Sequence, residues 1–122
     1  MIIIEKDNQE KQFCSFINNA VSLLADEKYQ EFIDCFDESR MNVNELISAL
    51  RYLDDNGPIT QIDNPGQSNN NIRGVYKYTK GNGYAVDYDL MTNGKLNDLT
   101  LQIEFLIVDN KYKVCLEDLH TL

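Results

Sequence analysis

Residues 84–119 read YAVDYDLMTNGKLNDLTLQIEFLIVDNKYKVCLEDL, and they carry the strongest structural signal in the chain. Apolar and polar side chains alternate along most of this stretch, which is typical of strands that bury one face only. Asn93-Gly94 and Asp109-Asn110 interrupt the alternation with residues suited to tight turns. The stretch therefore predicts three antiparallel strands, and IRGVYKYT at 72–79 adds a fourth before the GNG turn at 81–83.

The first half of the chain has a helical period instead. Apolar residues recur three and four positions apart in three segments between residues 13 and 53. Asp7 with Glu10 matches the capping-box pattern, and Asp26 suits the N-cap of a second helix. Residues 42 and 45, an Asn and a Glu, repeat the capping-box pattern for a third helix, which Gly57 would end as a C-cap.

Helices followed by strands predict one α+β domain over residues 1–122. We expect helices over about residues 8–54, an exposed polar loop at about 63–71 and the sheet over about 72–120. In this architecture the N-terminal helices pack on a strongly bent antiparallel sheet of about four strands. The helices cover one face and leave the other at least partly exposed to solvent. We expect Tyr76 and Tyr78 in the core, unless a twist of the strand exposes them as aromatic anchors for a partner.

The charge of the chain limits its partners. Twenty Asp and Glu residues stand against eleven Lys and Arg residues, which gives a net charge of −9. A nucleic-acid binder needs a basic surface, so we expect no direct nucleic-acid contact, and an anionic membrane surface is disfavoured too. The charge suits a basic protein partner, although solubility alone also explains it. Without a long apolar run or a signal-peptide pattern, we expect a cytoplasmic protein.

Few residues suggest catalytic or metal chemistry. The three cysteines are widely spaced, at Cys14, Cys35 and Cys115, and we expect them to be reduced. One histidine cannot complete a common zinc site, so we expect no metal, and we expect no cofactor either. Cys115 and His120 are five residues apart on the last strand, which places them on opposite faces unless a bulge intervenes. We interpret His120 as a structural or rim residue and predict no catalytic residue, so the chain is not expected to be an enzyme.

Two stretches resemble a known family. LLADEKYQEFIDCFDES at 23–39 resembles the helix pair that opens many NTF2-like (cystatin-like) domains. GYAVDYDLMTNGKLNDLTLQIEFLIVDNKYKVCLEDLHTL at 83–122 resembles the C-terminal sheet of small bacterial proteins of that shape, in which the closing strand is similar to LEDIHVL. Asn97 and Thr121 stand where that pattern has Ser and Val. The resemblance covers about half of the chain and implies a cone-shaped NTF2-like fold.

The resemblance also implies a function. Many similar proteins are encoded beside secreted bacterial toxins and act as immunity proteins of polymorphic toxin or contact-dependent growth inhibition systems. It implies a monomer or weak homodimer that neutralises a cognate toxin domain by direct contact, and we expect that toxin to be basic and a nuclease. One alternative is a small-ligand-binding or enzymatic NTF2-like domain that uses the cone cavity, with His120, Asp118 or a buried tyrosine in it. Another is a general interaction module or dimerisation domain.

Two acidic surfaces are candidates for partner binding, and we favour the first. The open face of the sheet would carry Asp87, Asp89, Glu104 and Glu117. A rim on the helix side would carry Asp34, Asp37, Glu38, Asp54 and Asp55, with the loop at 63–71 beside it. Acidic side chains that face solvent stay hydrated at little cost, so they remain available to a basic partner.

Overall fold

The computed structural model describes residues 1–66 and 71–121. Its helices are α1 (Gln9–Ala25), α2 (Tyr29–Asp34) and α3 (Val43–Leu50). Its strands are β1 (Ile2–Ile3), β2 (Glu38–Ser39), β3 (Ile72–Lys77), β4 (Gly83–Thr92), β5 (Lys95–Val108) and β6 (Lys111–Thr121). The predicted order of helices and long strands is therefore confirmed.

All strands belong to one strongly curled sheet, against which the helices pack, so the α+β prediction is correct. The order across the sheet is β1-β6-β5-β4-β3, and these neighbours are antiparallel. The sheet has six described strands instead of about four, because β1 and β2 add short pairings to β6. Two-residue strands carry too little periodicity to be found in the sequence.

The register of the long strands contains bulges that the alternation does not reveal. Gln102 pairs with Asp118 and the next residue of β5 pairs with Leu116, so Glu117 is an extra residue in β6. In the same way, Arg73 is an extra residue in β3. Each bulge reverses the direction in which the following side chains point, because successive residues of a strand alternate between faces.

The helix ends agree with only one of the predicted caps. Asn42 caps α3 in a complete capping box with Glu45. Asp7 does not cap α1, since the N-cap is Asn8 without a side-chain hydrogen bond, and residue 26 is the C-cap of α1 instead of an N-cap. α3 ends at Leu50, earlier than predicted, and Tyr52 and Leu53 then adopt positive φ angles of 55° and 60°.

An aromatic cluster fills the centre of the space between α1 and the sheet. Phe13 is fully buried, and its ring centroid lies 4.2 Å from that of Phe105, 5.2 Å from that of Tyr112 and 5.3 Å from that of Tyr84. The predicted apolar side of β4 and β5 faces this cluster, apart from Ile107 at the sheet end, which is 37% exposed. Burial of this apolar surface is the main stabilising contribution.

The segment after α3 is anchored to the turn between β4 and β5. Asp63 accepts hydrogen bonds from the backbone N–H groups of Asn93 (2.9 Å) and Gly94 (2.7 Å). Pro65 is buried, so the start of the predicted exposed loop at 63–71 is partly packed. Residues 67–70 of that loop lie outside the described residues.

No disulfide joins the three cysteines, all of which are among the described residues, and Cys115 is buried while Cys35 is exposed. Within residues 1–66 and 71–121, no helix has both the length and the apolar character needed to span a bilayer.

Candidate functional site

One face of the sheet is left uncovered by the helices, and it carries the candidate site. We call the open-face cluster the set of side chains that β3–β6 bring together there: Tyr76, Tyr78, Asp87, Glu104 and Glu117. Glu104 pairs in register with Ala85 of β4 and with Cys115 of β6, and Asp87 pairs with Gln102 of β5. The sequence prediction that acidic residues share this face is therefore correct in placement.

Two carboxyl groups at the centre of the cluster are hydrogen-bonded to each other. This bond lowers the pKa of Glu104, and the Tyr78 hydroxyl, which also donates to Glu104, lowers it further. Burial, followed by the bond to Glu104, raises the pKa of Glu117 to about 7. The Arg40 Nε forms an ion pair with Glu117, 3.0 Å from a carboxylate oxygen. A pKa of about 7 for Glu117 means that the pair carries a proton at pH values below about 7, because two carboxylates in contact repel each other when both are ionised.

The other two predicted residues of the open face differ from each other. Asp89 accepts hydrogen bonds from the Thr100 hydroxyl (2.9 Å) and from Arg73 (3.1 Å), whose guanidinium also makes an ion pair with it at 3.0 Å. The Arg73 guanidinium largely neutralises the charge of Asp89, so this carboxylate is less available to a partner than predicted. The Asp87 carboxylate has no side-chain hydrogen bond or ion pair within the described residues, and the residue is half-buried.

Both tyrosines of the cluster were expected in the core, and this expectation is wrong. Tyr76 is 53% exposed, and the half-buried Tyr78 contacts Glu104. The bulge at Arg73 is the reason, since it directs Val75 toward the helices and the tyrosines outward. Tyr76 lies across Gly74, where an added Cβ would be 2.5 Å from the Tyr76 hydroxyl oxygen. The only sequence signal was a glycine inside a strand, which often marks a bulge or a close approach.

The rim residues on the helix side are spread over three segments and have internal partners. Asp34 accepts a hydrogen bond from Gln30, and Asp54 accepts one from the backbone of Asn56. Asp37 accepts bonds at 2.8 Å from the Met1 amine and from the Val114 N–H. Glu38 pairs with Lys113, and Asp55 accepts through its backbone carbonyl from Arg51. The contacts of Asp37 and Glu38 tie the N-terminus and β2 to β6, so this part of the rim has a structural role, whereas the contacts of Asp34, Asp54 and Asp55 are local.

The bulge at Glu117 places Cys115 and His120 on the same face, contrary to the expectation from simple alternation. His120 lies opposite Thr100 in the register, and its Nδ1 is 3.5 Å from a carboxylate oxygen of Asp118. Burial raises the pKa of the Cys115 thiol, which disfavours the thiolate that a nucleophile needs.

Among the described residues, the helix-covered side contains a buried polar pair. The Tyr88 hydroxyl donates a hydrogen bond of 3.1 Å to Asn18 deep in the core, and burial raises the pKa of Tyr88 to about 12. Among residues 1–66 and 71–121, no group of three or more His, Cys, Asp or Glu side chains is placed to hold a metal ion.

A comparison with known proteins gives the family and no activity. No curated protein and no solved structure matches the chain significantly. A family model described as a domain of unknown function, DUF7668, matches residues 21–122. This match begins inside α1 and includes α2, α3, the four long strands and every residue of the open-face cluster. The chain therefore belongs to the DUF7668 family of domains of unknown function.

Proposed function

We propose that the chain is an immunity protein that binds a basic bacterial toxin domain through its open face and neutralises it by direct contact. One observation carries the proposal: the sheet gathers two tyrosines and three acidic residues on a face that the helices leave uncovered. Tyrosine is enriched among the residues that dominate protein–protein binding energy, and a rim of charge sets the choice of partner.

Tyr76 is suited to act as an anchor. Half of its surface is exposed, and Gly74 beneath it leaves room for the ring to lie flat against the strand. A side chain that is already held in position loses little conformational entropy on binding. Asp87 pairs with Gly74, two positions along the ladder from the pair of Tyr76 with Ala85, and its carboxylate has no internal partner among the described residues.

Electrostatic attraction would bring the partner to this face. A net charge of −9 produces a long-range field that accelerates association with a basic protein, and the effect weakens as salt screens the charges. A nuclease toxin needs a basic cleft to hold its phosphate backbone, so its chemistry complements this surface. The toxin is expected to be a nuclease for that reason.

The alternative of a ligand in the cone cavity has less support. The rings of Phe13, Phe105 and Tyr112 occupy the space between α1 and the sheet. The polar groups at that depth, Asn18 and Tyr88, are hydrogen-bonded to each other. No specific observation therefore favours a small-molecule substrate there.

The test uses the toxic C-terminal domain of the protein encoded beside this one, produced in cells with and without this chain. We expect rescue of growth and a purified complex whose affinity falls with added salt. Asp87→Lys should weaken the complex about tenfold or more. Asp55→Lys, an equal charge change on the helix-side rim, should leave it within about twofold.

Two results would contradict the proposal. Absence of both rescue and complex would reject the immunity function. Loss of binding with Asp55→Lys but not with Asp87→Lys would keep that function and move the binding surface to the helix-side rim.

A further inference from the structure

A groove runs between α3 and the last residues of β6, away from the open-face cluster. Its volume is about 410 Å³. Four buried apolar side chains contribute to its lining: Met41, Ala49, Leu99 and Leu119. A cavity of this size and composition is large enough for several side chains of a bound molecule.

One wall of the groove is the edge of a strand. β1 pairs with the start of β6 and β2 pairs with Cys115 and Leu116. The last backbone hydrogen bond on this edge runs from the Arg40 N–H to the Leu116 carbonyl. Among the described residues, the backbone of 117–121 is then hydrogen-bonded only to β5, on its other side. An unpaired strand edge offers backbone donors and acceptors to another extended chain.

The mouth of the groove carries strained and exposed apolar residues. Tyr52 and Leu53 have consecutive positive φ angles of 55° and 60°, which large side chains rarely adopt. This backbone leaves Leu53 79% exposed beside the groove. Strain of this kind persists where the surrounding structure imposes it and is concentrated at binding sites.

We propose that this groove binds an extended, basic segment of a partner protein, which adds a strand to the free edge of β6. The lining includes two carboxylates, Glu45 and Asp118, and none of the described lining residues is Lys or Arg. Apolar side chains of the segment would enter the groove, and its Lys or Arg side chains would meet these carboxylates. A second copy of this chain fits less well, because it would bring the same acidic groove and another charge of −9 against the first. This site does not depend on the proposed immunity function.

A display library of random twelve-residue peptides provides the probe. It is selected on the wild-type protein, on Ser48→Arg and on Ser15→Arg. Ser48 lies on α3 and lines the groove, whereas Ser15 is an exposed residue of α1. Both variants add one positive charge, so they differ only in where that charge is placed. We expect the wild type and Ser15→Arg to enrich peptides in which apolar residues alternate with Lys or Arg, and Ser48→Arg to bind them at least about tenfold more weakly.

Two further measurements keep the result independent of the folding of Ser48→Arg. Titration of a selected peptide into isotope-labelled wild-type protein should shift amide NMR signals of 117–121 and α3. N-methylation of alternate peptide amides should weaken binding by about tenfold or more, because it removes the hydrogen bonds to the edge.

The outcomes that overturn the proposal are distinct. Failure to enrich any peptide would reject the groove as a binding site. Shifts located on the open-face cluster, or equal binding of the N-methylated peptide, would reject strand addition. A concentration-dependent dimer of the free protein, with shifts at 117–121, would assign the edge to a second copy.

Discussion

Neighbouring residues of β5 face two surfaces with different chemistry. Phe105 points toward the helices, is fully buried and packs against the rings of Phe13 and Tyr112. Glu104, one position earlier, points to the open face and shares a hydrogen bond with Glu117. The covered face is stabilised by close packing of apolar side chains that are removed from water. The open face instead has polar and charged pairs, whose interactions change with pH and with nearby charges. Substitutions on the open face can therefore alter binding to another protein without unfolding the domain.

The largest expected effect is on the covered face. Phe105→Ala should lower the free energy of unfolding by about 3–5 kcal/mol, because it leaves a cavity in the aromatic cluster. Leu106→Ala, at the adjacent half-buried position, should lower it by about 1 kcal/mol or less. Urea unfolding measures both values, and equal losses would show that the two faces do not differ as described.

An intermediate effect concerns the paired carboxyl groups. The pKa of Glu117 is raised to about 7 in the folded protein, so its contribution to stability is complete below its unfolded pKa and is lost as pH rises through about 7. Glu117→Gln keeps a hydrogen-bond donor for Glu104 without a second charge. Between pH 5 and pH 8, the wild type should lose stability on the order of 1–3 kcal/mol relative to this variant.

Urea unfolding of both proteins across this pH range provides the measurement. Parallel stability profiles for the wild type and Glu117→Gln would show that the two carboxyl groups do not share a proton.

The smallest effect on stability is expected at Gly74. Gly74→Ala places a Cβ where the Tyr76 ring lies, and the ring can rotate away, so the free energy of unfolding should change by about 1 kcal/mol or less. Toxin binding should nevertheless weaken as much as it does in Tyr76→Ala, because both variants remove the ring from its position. Titration calorimetry with the toxin domain tests this, and a loss confined to Tyr76→Ala would show that the ring position is unimportant.

The comparison of faces also shows where sequence reasoning succeeded. Alternation correctly placed Val86 and Tyr88 inside and Asp87 outside, and the capping box at Asn42 was correct, because these signals arise within a few residues. The cap predicted at Asp7 was wrong, because its positive φ of 65° places it in a turn before the helix. Short polar residues suit both positions, so the sequence does not separate them.

The candidate site could be predicted only in part. Asp87, Glu104 and Glu117 were assigned to the open face from their alternation, but their internal partners depend on neighbouring strands. Tyr76 and Tyr78 were placed in the core, because the bulge at Arg73 reverses the alternation only when β3 pairs with β4. The groove beside α3 was also missed, since it needs the helix and the end of β6 to lie together.

The sequence by itself determined the α+β class, the order of the helices and long strands, the turns at Asn93-Gly94 and Asp109, and the acidic charge. These properties follow from periods and turn residues that act over short distances along the chain. Only the tertiary structure decided the bulges at Arg73 and Glu117, the close approach of the Glu104 and Glu117 carboxyl groups, and the unpaired edge of β6. Each of these depends on contacts between segments far apart in sequence, where the register of one strand fixes which side chains of the next can meet.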